Sequence, residues 1–126
     1  MSDKTEKLLS LRPLINTVPA ENPVEQFQNT TLRPILKLQN EMLIRVFRLY
    51  IIQRKNVFRQ LSAADRKTYV SNALTKDSKF ASLLKGLIIG FFTEDEWAKY
   101  ISYEAEINRR LSNLIEQRLL SNLADV

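Results

Sequence analysis

The stretch LRPILKLQNEMLIRVFRLYIIQRKNVFR, residues 32–59, is both strongly basic and strongly apolar. It holds seven basic residues against one acid, Glu41, and its single proline, Pro34, falls where the first turn of a helix tolerates it. Counted at about 100° per residue, most of its apolar residues fill a half-circle, as in the buried face of an amphipathic helix. The other half also contains apolar residues: Ile44, Ile51 and Ile52. The sequence therefore predicts a helix with a core face and a second, partly covered face.

Three further helices follow, and capping residues delimit them. Ser62 is an N-cap residue type placed ahead of an apolar segment, and so are both Asp77 and Ser78, either of which could begin the next helix. The clearest start is Thr93, because Glu96 follows it at the spacing of a capping box. We predict an all-α fold, a helical bundle of about four helices, spanning approximately residues 31–55, 62–74, 77–90 and 93–123.

The chain shows no alternating strand pattern, and its two glycines leave little turn material for sheets. Three of the four prolines fall within the first 31 residues and break any long helix there. We expect residues 1–30 to form an irregular N-terminal arm, with a short helical turn near residues 4–10, and residues 31–126 to form a single helical domain. The arm contains several leucines and Phe27, which predicts that it lies along a groove of the body or of a partner subunit.

Cysteine and histidine are both absent from the 126 residues. Without them a zinc, haem or thiol site has no natural ligands, and the commonest proton shuttle at neutral pH is missing. The lack of disulfides and of a signal-type apolar segment favours the cytoplasm. No apolar run approaches the roughly 20 residues that span a bilayer. We expect a cytoplasmic protein with no cofactor, no metal and no membrane association. The sequence contains no catalytic motif, so nothing in it favours an enzyme.

The predicted helix at residues 93–123 raises the question of oligomerisation. Roughly 30 helical residues extend about 45 Å, whereas a domain of this size is about 36 Å across. This length and the second apolar face of the first helix favour a homo-oligomer, with a dimer preferred. The alternative is a monomer in which the arm and the neighbouring helices cover that face.

Five basic residues of the first helix lie within a sector of about 120° and form a candidate face for an anion or a partner: Arg33, Lys37, Arg45, Arg48 and Lys55. A positive surface of this kind can bind nucleic acid through counterion release. Against this, Glu41 lies in the middle of the sector, four residues from Lys37 and from Arg45, as in a solvated face that pairs with itself.

Polar residues also interrupt the apolar stripes and form a candidate buried polar layer: Gln39, Glu104 and Asn108. A buried carboxylate needs hydrogen-bond or charge partners, or it takes up a proton. The layer could specify helix packing, or it could surround a small-ligand pocket or an enzyme site at Glu104. Di-iron bundles use a Glu-x-x-His repeat, and this chain has no histidine.

The segments FQNTTLRPILKL, residues 27–38, and LLKGLIIGFFTEDEW, residues 83–97, resemble a group of short, uncharacterised, all-helical bacterial proteins that are sometimes labelled glyoxalase. The resemblance covers most of the chain. Glyoxalases of the established folds bind a divalent metal through histidine and glutamate ligands. Because this chain has no histidine, the resemblance assigns no active-site residue to it.

The sequence thus favours a small helical protein that acts through protein–protein association, or as a structural module, without catalysis. Binding of nucleic acid or of an anionic ligand through the basic face of the helix at residues 31–55 is the first alternative. A small-ligand pocket or an enzyme around Glu104 is the second alternative.

Overall fold

The computed structural model describes residues 3–16 and 19–122. Over these ranges the chain is helical and has no strand, so the all-α prediction is confirmed. The α-helices are α1 Asp3–Ser10, α2 Pro23–Phe27, α3 Arg33–Leu38, α4 Asn40–Gln53, α5 Ala63–Lys76, α6 Ser78–Ile89, α7 Glu94–Ser102 and α8 Glu104–Ser121. A π-helical segment, Gln28–Leu32, joins α2 to α3, and a 3-10 turn, Phe58–Gln60, precedes α5.

The predicted count of about four helices is wrong, because two of the four are interrupted. Gln39 separates α3 from α4 with φ −96° and ψ 11°, and Tyr103 separates α7 from α8 with φ −132° and ψ 34°. The 18 residues of α8 extend only about 27 Å. The helix at the C-terminus is therefore shorter than the domain, and the argument for a dimer from its length no longer holds.

The helical segment that contains α3 and α4 begins earlier than predicted. Asn22 is the N-cap of α2, and its Oδ1 accepts from the backbone N–H of Val24 at 2.8 Å and of Glu25 at 3.2 Å. Pro23 occupies the first helical position, where its missing N–H costs nothing. The predicted start at residue 31 is wrong, because α2 lies in a stretch that we expected to be irregular. The short helical turn expected near residues 4–10 is confirmed as α1.

The N-caps predicted at Ser62 and Thr93 are confirmed, and of the two candidates Asp77 and Ser78 it is Asp77 that caps α6. The side chains of Ser62 and Asp77 each accept a hydrogen bond from the backbone N–H three residues further on, at 3.2 Å and 3.1 Å. At the start of α7, Thr93 Oγ1 accepts from the N–H of Glu96 at 3.2 Å, and the N–H of Thr93 donates to Glu96 Oε1 at 2.9 Å. Both hydrogen bonds of a capping box are therefore present.

The core forms where α3, α4, α5, α6 and α8 pack together, and aromatic rings fill part of it. The ring of Phe47 is fully buried and lies 5.3 Å from Phe58, 6.2 Å from Phe80, and 6.3 Å from Tyr50 and from Tyr69, centroid to centroid. In the described ranges, the other hydrophobic side chains that are less than 2% exposed, apart from Phe58, are aliphatic: Leu32, Ile35, Leu36, Leu43, Val70, Leu84, Ile88, Ile107, Leu111, Ile115 and Leu119.

Candidate functional site

A buried ion pair fastens the N-terminal arm to the body of the chain. Arg12 Nη1 donates to Glu96 Oε2 at 2.7 Å, and Arg12 Nη2 donates to the carbonyl of Phe91 at 3.1 Å. The two side chains are only 8% and 14% exposed. Thr31 Oγ1 donates to the same carboxylate at 2.8 Å. Glu96 therefore joins the arm, the π-helical segment and the start of α7.

The protonation of Glu96 is set by two opposing effects. Burial raises the pKa of its carboxyl, but the hydrogen bonds from Arg12, from the backbone N–H of Thr93 and from Thr31, together with the positive charge of Arg12, outweigh burial and lower the pKa below its ordinary value of 4.5. The carboxylate is thus held in its charged form.

The lowered pKa predicts an acid-dependent loss of stability. Because the folded pKa lies below the unfolded one, the stabilisation from Glu96 is complete above the ordinary value of 4.5 and is lost as the pH falls through the folded pKa. We expect the wild type to be more stable than Glu96→Gln at neutral pH and this difference to shrink below about pH 4.5. Urea unfolding of both proteins from pH 7 to pH 2.5 measures this difference in stability.

Glu94→Gln is the matched control, because it removes an exposed carboxylate from the same helical turn. A difference between wild type and Glu96→Gln that stays constant with pH would contradict the assignment. Equal changes in the pH dependence of stability for Glu96→Gln and Glu94→Gln would also contradict it.

A cavity of about 510 Å³ lies beside the ion pair, between the arm and the body. Leu9 and Arg12 line it from the start of the arm, Phe27 lines it from α2, and Ile107 lines it from α8. No motif in the sequence indicates this cavity. The only sequence signal was the excess of apolar residues in the arm, which predicted a groove for it.

The predicted polar layer does not form. Glu104 is exposed at the start of α8, so placing it in a buried layer was wrong. The prediction assumed one straight helix, and the break at Tyr103 changes the direction in which α8 presents its first turn. The other two residues are half-buried with separate partners: Gln39 Nε2 donates to the carbonyl of Leu87 at 3.1 Å, and Asn108 Oδ1 accepts from Tyr100 Oη at 2.7 Å.

The predicted basic face is divided by the break between α3 and α4. Glu41 forms no ion pair with a residue in the described ranges, so the expected self-pairing of this face is wrong. Four of the predicted residues are exposed, and Arg48 is half-buried. Arg33 and Lys37 lie in α3, Arg45 and Arg48 lie in α4, and Lys55 lies beyond the end of α4.

An apolar groove of about 290 Å³ runs between α4 and α6. Val46 and Leu49 line it from α4, and Phe80 and Leu83 line it from α6. Leu49 is 54% exposed and Leu83 is 51% exposed. Met42 continues the same stripe one turn earlier on α4 and is also exposed. We call these five residues the α4–α6 groove.

A second apolar surface lies on α7. Trp97 and Ile101 are one turn apart on the same side of the helix, and each is about half exposed. The acidic residue Glu94 is exposed in the first turn on the same side of the helix. We call these three residues the α7 face.

Comparison of the chain with protein-family models, with curated proteins and with solved structures finds no match. The resemblance to proteins labelled glyoxalase stays a prediction. In the described ranges, no group of three or more acidic residues is arranged to hold a metal ion. None of the helices described above combines the length and the apolar character needed to cross a membrane.

Proposed function

We propose that this protein is a non-catalytic self-association module in which the α7 face of one copy binds the α4–α6 groove of another. The observation that supports the proposal is the pair of exposed apolar surfaces on ordered helices. One surface is a concave groove, with Leu49 and Leu83 at its edges, and the other is a helix that presents Trp97.

Apolar exposure of this kind is informative only where residues cluster. A single exposed leucine is normal in a folded protein, whereas contiguous apolar patches with polar rims are typical of interaction sites. Tryptophan is among the residues that contribute most to binding free energy when a pocket encloses it. The indole of Trp97 already packs on the ring of Tyr100, with centroids 5.5 Å apart, which limits the entropy lost on binding.

The charges beside the two surfaces are complementary. Glu94 makes the start of the α7 face acidic. Arg54, Asp77 and Lys79 line the α4–α6 groove. Arg54 and Asp77 pair with each other at 2.9 Å, which leaves the positive charge of Lys79, and Arg45 is also exposed on α4. The chain carries a net charge of +5, which opposes association of two copies in general. Local pairing of opposite charges favours this orientation over one in which the two grooves face each other.

The contact joins two different surfaces, so it is heterologous. A heterologous contact closes into a ring if its rotation permits and otherwise continues as a chain of subunits. As a result, a variant damaged only in the α7 face and a variant damaged only in the α4–α6 groove can still form one contact with each other.

We expect Trp97→Ala and Leu83→Glu each to weaken self-association by about thirtyfold, because the first removes the aromatic side chain that enters the groove and the second places a charge at the groove's apolar edge. Sedimentation velocity over a range of concentrations measures this. In an equimolar mixture, the intact groove of Trp97→Ala binds the intact α7 face of Leu83→Glu. The mixture should therefore form heterodimers at concentrations where each variant alone is a monomer.

Ile52→Glu is the matched control for Leu83→Glu. Ile52 is 55% exposed and lies outside both surfaces, so the same charge change there should leave self-association within about twofold of the wild type. A wild-type protein that stays monomeric at the highest accessible concentration would sink the proposal. Failure of the mixture to form heterodimers would also contradict it, because an interface of identical surfaces gives no such recovery.

A further inference from the structure

Three arginines from two helices converge on one open pocket of about 270 Å³. Arg33 comes from α3, and Arg109 and Arg110 come from α8. None of the described residues that line the pocket is acidic. Side-chain amides complete the polar wall: Gln28, Asn113 and Gln117. Each guanidinium presents a planar fork of donors that matches two oxygens of one anionic group.

The protein's own residues compensate these charges weakly. Arg110 Nη2 lies 3.4 Å from Glu106 Oε1, but that carboxylate side chain is 42% exposed, and exposed ion pairs contribute little. Arg33 Nε donates to the neutral amide of Asn29 at 3.2 Å. Within the described ranges, the Arg109 side chain has no hydrogen bond or ion pair. An excess of positive charge is therefore left at the pocket.

A fourth arginine, Arg118, does not line the pocket but interacts with Arg33, which does. Arg118 Nη1 donates to Asn40 Oδ1 at 3.1 Å. Burial lowers the pKa of Arg118, and the positive charge of Arg33 lowers it further, which means that the two cations repel each other. A bound anion would relieve this repulsion as well as occupy the free donors.

We propose that this pocket binds the phosphate or pyrophosphate group of a small molecule, held by the guanidinium groups of Arg33, Arg109 and Arg110. The pocket is concave and formed by two helices, which suits a compact oxyanion better than an extended polymer. Of the five residues of the predicted basic face, only Arg33 belongs to it. The proposal involves neither the α7 face nor the α4–α6 groove, so it stands or fails independently of self-association.

Titration calorimetry of the full chain with sodium pyrophosphate at low ionic strength tests the proposal. We expect Arg109→Gln to weaken binding by at least about tenfold, because a charge-assisted bidentate contact is lost. Arg109→Lys should fall between this variant and the wild type, because lysine keeps the charge but loses the fork. Arg109 is exposed and makes no contact that the fold needs, so both variants should fold, as circular dichroism will show.

Arg59→Gln is the matched control, since it removes one exposed arginine outside the pocket. It should change the affinity for pyrophosphate by no more than about twofold. Equal weakening by Arg59→Gln and Arg109→Gln would overturn the proposal in favour of diffuse electrostatic attraction. Absence of measurable pyrophosphate binding would overturn it outright. Tighter binding of a short DNA duplex than of pyrophosphate, weakened alike by both variants, would instead indicate a nucleic-acid surface.

Discussion

Replacing Phe47 with alanine should lower the free energy of unfolding by about 4 kcal/mol, the largest effect that we expect from a single substitution in this chain. The ring is completely buried and contacts the rings of Tyr50, Phe58, Tyr69 and Phe80. Alanine would leave a cavity that four rigid rings cannot easily fill. Domains of this kind are stable by only about 5–15 kcal/mol, so much of the total would be lost. Urea denaturation followed by far-ultraviolet circular dichroism measures it.

Ile52→Ala is the control for this experiment. Ile52 lies on the same helix as Phe47 but is 55% exposed, so its truncation should change the stability by less than about 0.5 kcal/mol. A loss for Phe47→Ala below about 1.5 kcal/mol would mean that the aromatic cluster repacks, and it would contradict the rigid arrangement of rings described above.

Arg12→Ala should produce the second large effect, a loss of about 3 kcal/mol. Arg12→Ala leaves the carboxylate of Glu96 buried, with only its hydrogen bonds to Thr31 and Thr93. Removing one partner of a buried ion pair destabilises a fold by far more than the pair itself contributes. Arg12 belongs to the arm, however, and release of the arm would let water reach Glu96. The loss is therefore limited by the free energy with which the arm binds the body.

Hydrogen exchange distinguishes the two ways in which this loss can arise. Release of the arm alone would increase exchange at the backbone N–H groups of α1 and leave those of α8 protected, whereas global destabilisation would affect both. Lys7→Ala is the control. Lys7 forms an ion pair with Asp3 in which the two side chains are 75% and 80% exposed, and such a pair should contribute little to stability. Equal stability of Arg12→Ala and Lys7→Ala would show that the buried pair does not hold the arm.

The parts of the fold that were predictable are those that short-range chemistry determines. Ser62, Asp77 and the pair Thr93 and Glu96 carry side chains that satisfy the free N–H groups of a first turn, and their spacing is visible in the sequence. The breaks at Gln39 and Tyr103 were not predictable in this way. Neither residue is a helix breaker, and tertiary packing determines where these helices bend.

The candidate sites depend on residues that are far apart in the sequence. Arg12 and Glu96 are separated by 84 positions, and the capping box already accounted for Glu96. Arg33 was assigned to a stripe along one helix, whereas the fold places it beside two arginines of α8. Glu104 was placed in the core because the stripe was counted through Tyr103 as though the helix were continuous. Each error has the same cause, since periodicity describes one helix and not how two helices meet.

The exposed indole on α7 also has a spectroscopic consequence. Trp97 is the single tryptophan of the chain, so all tryptophan emission originates from one position on one surface. In a free subunit that indole is about half in contact with water, and any molecule that covers it will change its emission and its access to a soluble quencher. The protein thus carries an intrinsic optical probe of whether the α7 face is occupied, and no label needs to be attached to read it.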